Sequence, residues 1–113
     1  MKIVVAGASG FIGKELIDNL KDNHKIIALS RSKKENDHKN IEWRQCDLYS
    51  IKSIEDCIQD ATVAVYLVHS MLPSNRLTQG NFMDMDDLLA DNFHRAIKKS
   101  NIKKIIYVSE SYL

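Results

Sequence analysis

The sequence predicts an α/β fold with a doubly wound parallel sheet of five strands in the order 3-2-1-4-5, truncated after strand 5. Short β-branched runs alternate along the chain with amphipathic segments, and strands that alternate with helices pair in parallel through right-handed crossovers. The first run, KIVVA (2–6), leads into three evenly spaced glycines. A later run, TVAVYLV (62–68), is apolar enough for a strand that is buried on both faces.

The first part of the chain predicts a strand, a helix, a second strand and a loop. The run 2–6 is bounded by glycine, which is typical of a buried strand. Residues 11–22 predict a helix, whose apolar face comprises Ile12, Leu16, Ile17 and Leu20. KIIALS (25–30) predicts strand 2, and residues 31–40 predict a polar loop because none of them is apolar.

The middle of the chain predicts two more strands around a short helix. IEWRQ (41–45) predicts a third, weaker strand with alternating character. Ser50 can cap a helix whose apolar residues are Ile51, Ile54, Cys57 and Ile58. Residues 62–68 predict strand 4, which belongs in the centre of the sheet.

The last part predicts a loop, the longest helix and the fifth strand. Residues 71–82 contain the only proline and one glycine, which favours a loop. The helix is expected from about Met83 to Ser100, with acidic residues at its front and basic residues at its rear, an order that complements the helix dipole. KKIIYVS (103–109) predicts strand 5.

Size and charge restrict the class of protein. A chain of 113 residues is one domain by length. The 16 basic and 15 acidic residues give a formal net charge of +1, which provides no general attraction to nucleic acid or to an anionic membrane. No segment approaches the roughly 18 apolar residues of a membrane span, and nothing resembles a signal peptide. We therefore expect a cytoplasmic protein with neither nucleic-acid nor membrane partners.

Cysteine and histidine give no sign of a metal site. Cys46 and Cys57 are too few for a disulfide scaffold and lack the spacing of metal ligands. We interpret them as reduced, partly buried thiols of a cytosolic protein. Because His24, His38 and His94 are scattered along the chain, we predict no metal.

Two phosphate-binding motifs compete for the glycines that follow strand 1. A P-loop requires glycine, four residues, Gly-Lys and then a hydroxyl residue. Reading back from Gly13, the first glycine is replaced by Ala8 and the metal-binding hydroxyl by Glu15. These two failures argue against an ATP loop.

A dinucleotide fits the same glycines better. Gly7 can make the tight turn out of the strand, Gly10 lets the backbone approach a pyrophosphate, and Gly13 allows the helix to pack closely on the sheet. The spacing is G-x-x-G-x-x-G, in which Ser9 offers a hydroxyl to the phosphates. The N-terminus of the helix then directs free N–H groups at the anion. The alternative is a glycine-rich turn that binds nothing.

The end of strand 2 favours NADP(H) over NAD(H). An NAD site places a carboxylate there, whereas an NADP site accommodates the 2′-phosphate with an arginine. Here Ser30 and Arg31 occupy that position, followed by Lys33 and Lys34. The lysines alone would also fit a solvated basic loop.

The ends of the other strands supply further candidates. In an open α/β sheet the ligand lies outside the carboxyl ends of the strands, where strands 1 and 4 diverge. Asp47 and Leu48 follow strand 3 and could flank the adenine. Val68, His69 and Ser70 follow strand 4 and could lie beside the ribose and nicotinamide, although His69 equally fits a polar strand end.

The motifs together resemble a known family. GASGFIG after strand 1, ALSR at the end of strand 2, CDL after strand 3 and YLVHSM after strand 4 resemble the atypical short-chain dehydrogenase/reductases, and more narrowly the NmrA-like NAD(P)-binding proteins. The resemblance covers essentially all 113 residues. It implies a Rossmann domain with NADP and adds Phe11 and Ile12 to the pyrophosphate contacts. It also implies further strands and a substrate-binding region beyond residue 113, so that 1–113 is expected to be an incomplete dinucleotide-binding domain.

The catalytic residues of the resembled enzymes are absent from this sequence. Active members use a Tyr-x-x-x-Lys pair, but the residues four positions after the first three tyrosines are Ser53, Ser70 and Ser111, and Tyr112 has no such residue. Ser109 lies near the expected catalytic serine, yet a serine without a base is a weak acid–base group. We predict no catalytic residue.

Three functions therefore stay open. The first is the NADP-binding domain of an oxidoreductase-like protein, which by itself lacks turnover. The second is an NmrA-like sensor that reports the state of the dinucleotide to a protein partner, and the third is an interaction module without nucleotide. The sequence identifies neither the small-molecule substrate nor the protein partner. Because strand 5 presents an apolar edge, we also expect self-association through residues 103–109.

Overall fold

The computed structural model describes residues 1–67 and 79–108, and the side chains of 1–67 and 88–108. Strands and helices alternate in the predicted order within these ranges. They are β1 (Lys2–Ala6), α1 (Phe11–Leu20), β2 (Lys25–Ser30), β3 (Ile41–Gln45), α2 (Ile51–Ile58), β4 (Val63–Tyr66), α3 (Gln79–Lys98) and β5 (Lys104–Tyr107).

The strands form one sheet in the order β3-β2-β1-β4-β5, which confirms the predicted topology. Every pairing is parallel, and β1 lies in the centre, where Val4 pairs with Ile27 of β2 and with Ala64 of β4. Because all strands run in the same direction, their carboxyl ends lie along one edge of the sheet. Chain segments after β1, β2, β3 and β4 therefore emerge at that edge.

Alternate residues of β1 pack into two cores on opposite faces of the sheet. Val4 and Ala6 join the core beneath α2 and α3, which includes the fully buried ring of Phe93. Ile3 and Val5 join the core beneath α1. A strand covered on both faces needs apolar side chains on both, which explains the continuous apolar run in the sequence.

The ends of two helices differ from the prediction. Helix α1 ends at Leu20 and not at Asp22. A turn follows it, in which the Leu20 carbonyl accepts hydrogen bonds from the N–H groups of Asn23 and His24. Helix α3 begins at Gln79, whereas a loop was predicted to continue to residue 82. A glycine inside a helix costs only about 1 kcal/mol, so Gly80 does not prevent this earlier start. Within the described residues no helix has both the length and the apolarity to cross a bilayer.

Charged side chains join β3 to the end of α2, which the sequence analysis did not predict. The Arg44 guanidinium donates to Glu42 at 2.9 Å, to Asp60 at 3.0 Å and to the Cys57 carbonyl at 2.7 Å. Lys2 donates to the other oxygen of Asp60 at 2.8 Å. Hydrogen bonds from Arg44 and then Lys2 lower the pKa of Asp60, and the Arg44 hydrogen bond also lowers the pKa of Glu42.

The two edges of the sheet differ in their protection. At the β3 edge, the Asn36 side-chain oxygen accepts a hydrogen bond from the Trp43 N–H at 2.7 Å, and the Lys34 amine lies 5.6 Å from the centre of the Trp43 ring. The β5 edge instead exposes large apolar side chains, namely Ile106, Tyr107 and Val108. Exposed apolar edges favour pairing with another chain.

Candidate functional site

The turn between β1 and α1 has the geometry that was predicted for its first glycine. Gly7 adopts a φ of 89°, in the left-handed region that side chains disfavour. Its carbonyl accepts a hydrogen bond from the Gly10 N–H at 3.2 Å. The turn thus brings the chain from the end of the central strand directly into the start of α1.

Gly13 allows α1 to pack against this turn. A Cβ added at Gly13 would overlap the Gly7 carbonyl oxygen and lie 2.8 Å from the Cα and carbonyl carbon of Ala8. Real Cβ atoms do not approach backbone atoms so closely, and these atoms cannot move away without distorting the turn. Gly13 is therefore required by the internal packing of the chain.

Gly10 is different, because nothing in the part of the chain that the structure describes requires a glycine there. Its backbone is extended, with a φ of −78° and a ψ of 175°, which any residue adopts. Among the described residues, a Cβ at this position would meet only the Gly7 carbonyl oxygen, at an ordinary 3.5 Å. The missing side chain leaves open space at the start of α1, where the backbone can be approached from outside.

The N-terminus of α1 is available to an anion. Gly10 is its N-cap residue, no side chain caps the helix, and the first turn contains no acidic residue. The first helical hydrogen bond runs from the Lys14 N–H to the Gly10 carbonyl at 3.0 Å, so the N–H groups of residues 11–13 precede it. Such groups, together with the helix dipole, attract negative charge.

A small cleft opens beside these N–H groups, at the carboxyl ends of β1 and β4. The Leu67 N–H donates to the Ala6 carbonyl at 2.9 Å, which holds the chain after β4 beside the end of β1. The cleft is lined by Gly7, Gly10, Phe11, Ile12, Gly13, Leu67 and Val108. Phe11 is 80% exposed, so its side chain forms an uncovered apolar rim. Ser9 is also exposed.

Ser30 and Arg31 lie at the carboxyl end of β2, on the same edge of the sheet. Ser30 is buried, and its hydroxyl accepts a hydrogen bond from the Ser32 N–H at 3.2 Å. The Arg31 carbonyl accepts a hydrogen bond from the Gln45 amide at 3.2 Å. These bonds fix the turn, while the exposed Arg31 guanidinium forms no ion pair or hydrogen bond with the described residues.

Asp47 and Leu48 form a loop that is held by α2 and α3. The Asp47 N–H donates to the Ser53 hydroxyl at 3.0 Å, and the Asp47 carboxylate accepts from the Tyr49 N–H at 2.9 Å. The Leu48 carbonyl accepts a hydrogen bond from the side-chain amide of Asn92 at 3.0 Å. The loop is therefore ordered before any ligand arrives.

The structure places the candidates after strands 1, 2 and 3 at the same edge of the sheet, whereas other candidates cannot be located. Val68, His69 and Ser70 lie outside the described residues, as does Ser109. Asn92 was missed by the sequence analysis. Its sequence signal is that it is a polar residue on the same helical face as the apolar Leu89, Phe93 and Ala96. No group of three or more potential metal ligands occurs among the described side chains.

Comparison with known proteins identifies relatives over the whole described fold. Residues 3–112 match the NAD dependent epimerase/dehydratase family. Auxiliary protein GraX of Staphylococcus aureus (strain NCTC 8325 / PS 47) is 30% identical over 112 residues, which are 97% of this chain and 36% of that protein. This chain thus spans little more than a third of that relative's length.

Solved structures agree with this assignment. UDP-N-acetylglucosamine 4-epimerase from Bacillus cereus superposes with a TM-score of 0.80 and 27% identity, over 96% of this chain and 36% of that one. MoeE5 in complex with UDP-glucuronic acid and NAD superposes with a TM-score of 0.81 and 19% identity, again over 96% and 36% of the two chains. At 19% identity, the second likeness supports the fold alone.

Proposed function

The chain belongs to the NAD dependent epimerase/dehydratase family, and from this membership we propose that residues 1–113 are the NADP(H)-binding domain of an oxidoreductase-like protein. Homologues in this family bind an NAD(P) dinucleotide. The observation that carries the proposal is the open backbone at Gly10 beside the uncapped start of α1. A site for a pyrophosphate needs both features.

We assign the pyrophosphate to the turn and the first residues of α1. The backbone N–H groups of residues 11–13 would donate to its oxygens, and the Ser9 hydroxyl would add a further donor. Gly7 and Gly13 shape the turn that presents these groups to the pyrophosphate. The uncovered apolar rim at Phe11 and Ile12 would then be shielded by the bound dinucleotide.

The preference for NADP(H) rests on Arg31. Its guanidinium is exposed and forms no bond with the described chain, so binding a 2′-phosphate would cost no existing interaction. Lys34 is less available because its amine lies over the Trp43 ring. The buried Ser30 hydroxyl accepts a hydrogen bond from the Ser32 N–H, so we assign Ser30 to shaping the turn as well as to phosphate contact.

The remaining contacts follow the order of the strands. Asp47 and Leu48 would flank the adenine, and Val68, His69 and Ser70 would lie on the nicotinamide side. A bound nicotinamide dinucleotide would supply hydride exchange. The part played by this chain is to hold and orient the cofactor, because its sequence contains no Tyr-x-x-x-Lys pair.

A second candidate function is an NmrA-like sensor of the NADP⁺/NADPH ratio in the cytoplasm. A sensor needs no Tyr-x-x-x-Lys pair, and the absence of the pair from these 113 residues fits a sensor and an incomplete enzyme domain equally well. A sensor would bind NADP⁺ and NADPH with different affinities and show no turnover over a substrate panel. An oxidoreductase domain would bind both forms and gain turnover when joined to the substrate-binding part of the protein.

Self-association through residues 103–109 is part of the same proposal. The exposed Ile106, Tyr107 and Val108 support it, whereas at the opposite edge the Trp43 N–H already donates to the Asn36 side chain. Sedimentation at increasing protein concentration tests this. A profile that stays monomeric at high concentration would refute it.

A thermal-shift comparison of NADP⁺, NADPH, NAD⁺, NADH and ATP tests the cofactor assignment. A ligand at 100 times its Kd stabilises a protein by about 2.7 kcal/mol, which is readily measured. NADP⁺ and NADPH are expected to raise the melting temperature most, and ATP least. If no dinucleotide raised it, the chain would be an interaction module without nucleotide, and the proposal would fail.

A further inference from the structure

Two buried cysteines meet next to the proposed adenine loop. Cys46 directly follows β3 and is 3% exposed, and Cys57 lies near the end of α2 and is 8% exposed. Both are free thiols in the same core cluster. The Cys57 thiol donates a hydrogen bond to the Gln45 carbonyl at 3.4 Å, one residue before Cys46. Each thiol shifts the pKa of the other, which agrees with their lying side by side in this core.

The surroundings give the two sulfur atoms different characters. A hydrogen bond from the Cys46 thiol and the positive charge of Arg44 lower the pKa of Cys57. Arg44 is held at this point because it donates to the Cys57 carbonyl at 2.7 Å. Donating to Cys57 raises the pKa of Cys46. Cys57 is thus the more acidic and the more exposed of the pair.

The pair lies at the base of the Asp47–Leu48 loop, to which we assign the adenine. Asp47 follows Cys46 in sequence, and its N–H donates to the Ser53 hydroxyl, one turn of α2 before Cys57. Ser53 in turn donates its N–H to the Ser50 hydroxyl at 3.1 Å, which begins the helix. A change in the distance between Cys46 and Cys57 would therefore act on the backbone that carries Asp47.

We propose that Cys46 and Cys57 are a reversible dithiol that hydrogen peroxide converts to a disulfide, which displaces the Asp47–Leu48 loop and weakens dinucleotide binding. Formation of the disulfide depends only on the two thiols and not on whether the chain binds a dinucleotide. Its effect on affinity rests on the proposed function. Closing the bond brings the two sulfur atoms to about 2.05 Å from each other, which would pull the end of β3 and α2 together.

Hydrogen peroxide is the oxidant, and it accepts the two electrons that the two thiols lose. The Cys57 thiolate attacks one peroxide oxygen, the O–O bond breaks, and Cys57 becomes a sulfenic acid while hydroxide leaves and takes up a proton. The Cys46 sulfur then attacks the Cys57 sulfur, the S–O bond breaks, and the Cys46 proton leaves with hydroxide as water. Two thiols and one peroxide yield one disulfide and two waters. A dithiol reductant reverses the reaction.

The test uses the folded 113-residue chain in its reduced form, first titrated with NADP⁺ and then treated with hydrogen peroxide. Intact mass and alkylation measure the disulfide, which removes two hydrogen atoms and blocks both thiols. We expect NADP⁺ affinity to fall about tenfold, within the usual range of coupling between sites, and to return after treatment with dithiothreitol. Cys46→Ala and Cys57→Ala should each bind NADP⁺ like the reduced chain and resist the effect of peroxide. The double variant controls for methionine oxidation.

The outcomes separate the two proposals. If the reduced chain fails to bind NADP⁺, the proposed function fails while the disulfide measurement still stands. If alkylation shows both thiols free after exhaustive peroxide treatment of the folded chain, the dithiol is refuted. If the disulfide forms and NADP⁺ affinity is unchanged, its control over the adenine loop is refuted.

Discussion

The side-chain amide of Asn92 on α3 donates a hydrogen bond of 3.0 Å to the carbonyl of Leu48 in the loop after β3. Asn92 is only 7% exposed, so its polar group is buried among apolar neighbours and satisfied by this loop. The bond links the longest helix to the segment that we assign to the adenine. Replacing Asn92 is therefore expected to affect stability and ligand binding together.

Asn92→Ala is expected to reduce the free energy of unfolding by about 0.5–1.5 kcal/mol, the usual contribution of one hydrogen bond, because the partly buried Leu48 carbonyl loses its donor. NADP⁺ affinity should fall as well, since the loop is no longer fixed. Denaturant unfolding and calorimetric titration measure the two effects. Asp91→Ala is the matched control, because Asp91 forms an exposed ion pair with Arg95 on the same helix and such pairs contribute little. Equal effects of the two substitutions would contradict the assignment.

Gly13→Ala is expected to destabilise the fold strongly. The added Cβ would collide with backbone atoms of the turn and not with a movable side chain, and overpacking of this kind typically costs about 1–3 kcal/mol. Thermal unfolding without ligand measures this. Gly10→Ala is the matched control, because the same Cβ added there would meet only the Gly7 carbonyl oxygen, at an ordinary 3.5 Å, and should leave the stability nearly unchanged. A Gly13→Ala chain as stable as the original would show that α1 can move away from the turn.

Gly10→Val is expected to leave the fold intact and to abolish dinucleotide binding. Its Cβ meets only an ordinary contact within the chain, whereas the branched side chain would occupy the space before the N-terminus of α1. Circular dichroism and a binding titration separate the two properties. Retained NADP⁺ binding would show that the pyrophosphate does not approach at Gly10. Loss of folding would show that the glycine has a structural role after all.

The order of the strands followed from the sequence because the apolar runs of β1 and β4 allow burial on both faces. The roles of Gly7 and Gly13 in the turn were also predicted, and the structure gives each a distinct physical cause. The contact between Asn92 and Leu48 was not predictable, because it joins residues 44 positions apart that meet only after the sheet has formed. The start of α3 was missed because propensity alone cannot decide a helix end at Gly80.

Asp60→Asn is expected to lower stability at neutral pH by up to about 1 kcal/mol, since Asp60 is partly exposed and solvent screens its ion pairs. Hydrogen bonds from Arg44 and Lys2 lower the pKa of Asp60 below its ordinary value of 3.8. A carboxylate whose pKa is lower in the folded state stabilises the fold above the unfolded value and loses this effect as the pH falls through the folded one.

The difference between the original chain and Asp60→Asn should therefore shrink once the pH falls below 3.8. Urea unfolding at a series of pH values measures this. Asp56→Asn is the control, because Asp56 pairs only with the exposed Lys52 one turn away. A difference that stayed constant down to strongly acidic pH would show that the charge of Asp60 is not the cause.

Arg31→Ala is expected to remove the preference for NADP(H). A hydrogen bond to a charged group contributes about 1.5–3 kcal/mol, so affinity for NADPH should fall by about tenfold to a hundredfold, with affinity for NADH unchanged. The fold should not change, because the Arg31 side chain makes no bond with the described residues and its carbonyl still accepts from Gln45. Parallel titrations with NADPH and NADH measure the effect. Lys33→Ala, two residues later in the same loop, removes one positive charge without removing the guanidinium. If both substitutions lowered NADPH affinity equally, the preference would come from the general charge of the loop and not from a specific contact with the 2′-phosphate.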